Sequence, residues 1–147
     1  TCVYIVENEM VFSYLMEQVQ GKNVSLLCTS GQPRYAALKL ISLIVQSGIP
    51  IYYSGDLDPD GIGIADRLWQ RFGNRIQFFG MSPEDYRNSL SKEVFGENGR
   101  KKLEHIWHPL LRETAELVRK TGKAGYQENI FKELSEKLVG CDQNQNL

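Results

Sequence analysis

The chain has 147 residues, 41% hydrophobic and 24% charged, an ordinary composition for one globular domain with a sizeable core. Seventeen basic against 18 acidic side chains leave a net charge of -1, which argues against a stand-alone nucleic-acid-binding module while allowing action on nucleic acid beside another domain. Cys2, Cys28 and Cys141 are odd in number and lack CxxC spacing, which argues against a disulfide framework or a zinc cluster and suits a reducing cytoplasm, and no signal peptide or membrane-length apolar run is present.

Cys2 to Val6 is a short apolar run that suits a strand buried on both faces. Val11, Phe12, Leu15 and Val19 then recur at helical spacing up to Gly21. Val24 to Cys28 reads as a second strand, and Cys2 and Cys28 within these runs read as buried small hydrophobes. Thr29 to Pro33 is a turn, Tyr35 to Gln46 an apolar helix, and Ile49 to Tyr53 a third strand. A polar loop follows from Gly55 to Gly61, then a helix from Ile62 to Phe72 with Gly73 and Asn74 as stop signals, and a fourth strand over Ile76 to Phe79. This alternation predicts an α/β fold: a Rossmann-like parallel sheet of about four strands flanked by helices.

Beyond residue 80 the pattern turns helical. Ser82 caps a short helix, Gly96 to Gly99 reads as a loop, and helices are predicted over Arg100 to Trp107, Pro109 to Lys120 and Tyr126 to Leu138. Residues 1–140 form one expected domain, cut from the C-terminal part of a larger protein, and 141–147 an expected disordered tail.

Ligands of a parallel sheet bind outside the carboxyl ends of its strands. The first strand ends at Glu7 and the third runs into Gly55-Asp56-Leu57-Asp58-Pro59-Asp60-Gly61, so right-handed crossovers bring Glu7 and the acidic loop to one edge. Gathered carboxylates repel and raise one another's pKa, a cost that a hard cation removes, and magnesium accepts one or two carboxylates while keeping several waters. Glu7, Asp56 and Asp58, with Asp60 beside them, are therefore candidate metal ligands. The same loop is also ordinary turn chemistry, in which Asp58 or Asp60 caps the following helix. It is not an EF-hand, because the later acidic ligands are missing. The turn Thr29-Ser30-Gly31, with Arg34 and Lys39 nearby, is a candidate phosphate site or else a capped βα turn. His105 and His108 read as helix-surface residues. Glu128, opening the last helix, either complements the helix dipole or serves a second metal.

Val6-Glu7-Asn8, Thr29-Ser30-Gly31-Gln32-Pro33 and Asp56-Leu57-Asp58-Pro59-Asp60-Gly61-Ile62, in that order and each after a strand, resemble the motifs of the Toprim domain. The likeness is to the A subunits of topoisomerase VI and to a bacterial family of uncharacterised C-terminal Toprim domains encoded beside condensin-like ATPases in plasmid-defence systems. It covers about residues 2 to 90. The resemblance implies that Asp56 and Asp58 bind magnesium, with manganese as a substitute, and that Glu7 is the acid/base or a second-metal ligand. Asp60 departs from the family pattern. The nucleophilic tyrosine of the topoisomerases belongs to a separate helical domain, so none of the seven tyrosines inherits that role.

Taken together, these features lead to the expectation of a cytoplasmic, magnesium-dependent nuclease domain that hydrolyses DNA phosphodiesters. DNA is expected to be gripped mainly through domains outside this chain, with condensin-like ATPase partners, no membrane association and a homodimer as one assembly. The rival is a non-catalytic Toprim-shaped module that docks a partner protein. A third reading is a phosphotransfer receiver or phosphatase with Asp56 as nucleophile.

Overall fold

The computed structural model describes residues 2–139. Four parallel strands form the main sheet: β1 (Val3–Val6), β2 (Ser25–Cys28), β3 (Ile51–Ser54) and β4 (Ile76–Phe78), in the spatial order β2-β1-β3-β4. Each successive pair is joined by a helix: α1 (Glu9–Gln18), α2 (Tyr35–Gln46) and α3 (Pro59–Phe72). The fold is α/β and Rossmann-like, consistent with a Toprim-type sheet. Every residue of β1 is buried, as its unbroken apolar run predicts.

Strand alternation divides the core in two. Val3 and Ile5 of β1 point into a cluster with Ile51 and Tyr53 of β3, Ile41 of α2, and Ile64 and Leu68 of α3. Tyr4 and Val6 point the other way, against Val11 and Leu15 of α1. Each face is closed by an element from the C-terminal half. Helix α6 (Pro109–Thr121) adds Leu111, Ala115 and Val118 to the first cluster, and α7 (Phe131–Val139) adds Leu134 and Leu138 to the second.

The remaining elements are α4 (Pro83–Ser89), β5 (Leu90–Val94), α5 (Glu97–Lys102) and β6 (Lys123–Gly125). The Ser82 cap is realised as a full capping box: Asp85 N donates to Ser82 Oγ at 3.1 Å and Ser82 N donates to Asp85 Oδ2 at 2.9 Å.

The structure departs from the sequence reading at several places. Antiparallel β5 and β6 occupy stretches to which the sequence assigned no element; β5 is largely exposed and β6 has three residues, so neither carries a hydrophobic period. The stretch 96–99 is the start of α5, where Gly99 lies against Phe95 and Pro59, and the helix ends in a 3-10 turn at Leu103–His105 rather than at Trp107. Helix α3 begins at Pro59, and α7 follows a 3-10 turn at Gln127–Ile130. Cys2 and Cys28 are half-buried rather than fully buried. His108 is not a helix-surface residue: it caps α6, with its ring edge-on to Trp69 and Phe78, while His105 is exposed in the 3-10 turn. The expected tail at 141–147 lies outside the described residues. No helix among the described residues is long and apolar enough to cross a membrane.

Candidate metal and catalytic site

In the sheet, β1 leads one crossover to β2 on one side, while β3 lies on its other side, so a crevice opens at their carboxyl ends. The register pairs Val6 with both Cys28 and Ser54, which brings Glu7, Thr29 and Gly55 to the same level. Glu7 Oε2 accepts a hydrogen bond from Asp56 N at 3.2 Å. Gly55 permits this approach: a Cβ there would lie 2.7 Å from Glu7 Oε2. Gly61 is equally constrained, because its Cβ would meet Asp56 O at 2.2 Å.

The C-terminal half fixes the acidic loop from the opposite side. Leu57 N donates to Gly125 O at 2.7 Å and Gly125 N returns a bond to Leu57 O at 2.9 Å. This bridge delivers the Gln127 amide to Asp56 Oδ1 at 2.9 Å, while Gln127 Nε2 donates to Ser54 Oγ at 2.9 Å inside the core. Gln127 is thus a site residue that the sequence reading missed. Its only cue was its place beside Glu128, since β6, which positions it, has no pattern of its own.

Asp58 is the N-cap of α3, its Oδ1 accepting from Gly61 N at 2.7 Å. Asp60 occupies the first turn of α3, where it is exposed and paired with Lys102 at 2.7 Å, on the side away from the cleft. It does not line the cleft with Glu7 and Asp56, although its charge acts on Glu7. Glu128 Oε1 accepts from Asn8 Nδ2 at 2.9 Å, and Asn8 Oδ1 caps α1 through Met10 N and Val11 N.

The crevice is a cleft of about 390 Å³. Glu7, Glu9, Asp56 and Glu128 supply four carboxylates to its lining, Asn8, Met10, Ser30 and Gly31 complete it, and no lysine or arginine contributes. Burial, then the neighbouring Asp56 charge, pushes the Glu7 carboxyl up to about 7. Burial likewise pushes Asp56 up to about 6 against the opposing effect of the Gln127 amide, and it raises Asp58.

The expected phosphate cradle at Thr29, Ser30, Gly31 and Lys39 is not open. The Thr29 and Gly31 amides are spent on Val6 O and Glu7 O, at 3.0 and 3.1 Å. Ser30, at φ 52°, donates its hydroxyl to Glu9 Oε1 at 2.6 Å, and Lys39 lies exposed on α2 outside the cleft lining. The Thr29 hydroxyl instead faces that of Tyr53, a fully buried side chain beneath Glu7.

Could these groups hold a cation? Among the described residues no three of the acids, histidines or cysteines gather closely enough to grip one ion between them. Glu7 and Asp56 nevertheless form an all-oxygen pair in one crevice, and a carboxylate that accepts one amide keeps most of its lone pairs. Raised acids with no basic side chain in the cleft suit a hard divalent ion held through one or two carboxylates and waters.

No curated protein matches the chain. Over residues 1–138 it matches the family described as "Protein of unknown function C-terminus (DUF2399)", and the chain belongs to that family.

Proposed function

We propose that this chain is a magnesium-dependent catalytic domain of Toprim type that hydrolyses DNA phosphodiesters, the nuclease part of a DNA-processing or defence system. The observation that carries the reading is the Glu7–Asp56 pair at the sheet's switch point: two half-buried carboxyls with raised pKa in a cleft without basic side chains. Glu7 and Asp56 are the residues that would hold the ion, with Asp58 adding negative charge behind them. A bound magnesium ion supplies Lewis-acid polarisation of a phosphoryl oxygen and a more acidic water.

The chain's own residues supply the proton handling. Glu7 spends one oxygen on the Asp56 amide and keeps the remaining lone pairs of its carboxylate, which suits it to accept a proton from a water in the cleft. Glu7 Oε1 or Oε2 takes the proton as water adds to phosphorus. The P–O bond to the leaving sugar oxygen breaks, and that oxygen takes up the proton released by Glu7, directly or through water, which restores the carboxylate. Gln127 and the Leu57–Gly125 bridge keep Asp56 in place through these steps.

The test is plasmid cleavage by the full-length protein in magnesium, alongside calorimetric magnesium titration. Glu7→Gln and Asp56→Asn should each lower cleavage by on the order of 100-fold or more. Asp56→Asn should also weaken magnesium binding. Undiminished cutting by both variants would overturn the proposal. A melting temperature and amide spectrum indifferent to millimolar magnesium would favour the non-catalytic docking module.

A further inference from the structure

The acid cleft has no side chain that attracts a polyanion, yet the surface beside it does. A groove of about 480 Å³ runs between α2 and α3. Leu38, Ile64 and Leu68 line it together with the exposed Arg67 and Arg71, and no Asp or Glu contributes. Neither guanidinium has a carboxylate partner among the described residues. Arg67 is held by Gln32: Nη2 donates to Gln32 Oε1 at 2.7 Å. Arg71 lies over the Phe72 ring at 5.5 Å. Exposed Arg34 stands at the N-cap of α2, two residues after Gln32, and is not part of the groove's lining.

Groove and cleft share one turn. Ser30 and Gly31 line the cleft, and Gln32, the next residue, lines the groove and holds Arg67. Arg67 and Arg71 are four residues apart on α3, hence on one face with Cβ atoms roughly 6 Å apart. That separation is comparable with the step between neighbouring phosphates of one strand. Guanidinium forks match phosphate oxygens in bidentate geometry, and positioned, unpaired arginines on an apolar floor are suited to a phosphate backbone.

We infer that the α2–α3 groove is a binding site for the phosphate backbone of duplex DNA, with Arg67 and Arg71 as its contacts, and that it leads the strand to the acid cleft. The inference rests on the nuclease reading for what happens in the cleft, but binding at the groove is measurable without cleavage.

Salt-dependent binding of a short duplex to full-length protein carrying Glu7→Gln tests it. The double variant Arg67→Ala/Arg71→Ala in that background should bind about tenfold more weakly and lose about 2 from the slope of log K against log salt, one for each phosphate contact. Arg67→Lys/Arg71→Lys should retain most of the slope, which loss through misfolding would not. Unchanged affinity and slope in the alanine double variant would overturn the inference, as would a parent protein that does not bind duplex DNA. Failure of the nuclease reading has a different signature: cutting indifferent to Glu7 and Asp56, with the slope change still present.

Discussion

Two sets of half-buried and buried carboxylates sit in this small fold, and they are treated in opposite ways. Asp66 and Asp85, 2% and 5% exposed, are saturated with donors. Asp66 accepts from Trp107 N, His108 N and Gln70 Nε2, and Asp85 from Ser82 and from Lys137 Nζ at 2.8 Å. Glu7 and Asp56 each accept one backbone amide and face other acids. Burial acts upward on Asp85 as it does on Glu7 and Asp56. At Asp85, Lys137 and Ser82 outweigh it and hold the carboxyl below its ordinary value, whereas at Glu7 and Asp56 nothing in the protein does. The difference separates acids that fasten elements together from acids poised for something the chain does not itself provide.

The fastening role is tested most severely at Asp66. This side chain ties the segment before α6 to α3, and its removal strands two backbone amides and Gln70. Asp66→Ala should cost about 3 kcal/mol or more, lowering the melting temperature by on the order of 10 °C. A thermal scan showing less than a few degrees of change would break the contrast.

At Asp85 the effect should be smaller but pH-dependent. Asp85→Ala removes the α4 capping box and the ion pair to α7, about 2 kcal/mol. Because the folded carboxyl is held below its ordinary value, its stabilisation is present above the unfolded pKa and lost as pH falls through the folded one. The difference between wild type and Asp85→Ala should therefore shrink as acid is added below about pH 4. A gap in melting temperature that stays constant down to the lowest measurable pH would contradict the assignment.

These contrasts also show what the chain order alone discloses. Glu7 and Asp56 are legible because each follows a short apolar strand, and parallel topology sends both to one edge. Pro59 and the Asp58 cap were legible as turn chemistry, although the helix they open begins earlier than its hydrophobic period suggests. Gln127 was not, because its amide reaches Asp56 only through the Leu57–Gly125 bridge, a contact made by three residues without periodicity. Nor was the pairing of Asp60 with Lys102, 42 positions away. The closed amides of the second turn were hidden for the same reason: a sequence names donors but not what they are bonded to.

The smallest expected effect is also the one that most sharply separates the two sets. Glu7 has a folded pKa of about 7 against an ordinary value of 4.5. Between those values the folded state binds more protons than the unfolded chain, so stability falls as pH rises through this window. Metal-free protein should accordingly lose stability between about pH 5 and 7.5, opposite in sign to the contribution of Asp85 at lower pH. Glu7→Gln keeps an oxygen acceptor for the Asp56 amide and removes the charge, so the part of the slope due to Glu7 should vanish, leaving that of Asp56. At pH 7.5 the variant should be more stable than wild type by about 1–2 kcal/mol, a few degrees of melting temperature. Added magnesium should narrow that gap from the wild-type side, since an ion that binds only the folded state stabilises it by mass action. A Glu7→Gln protein less stable than wild type at pH 7.5, with the pH slope intact, would mean that Glu7 is a fastening acid after all.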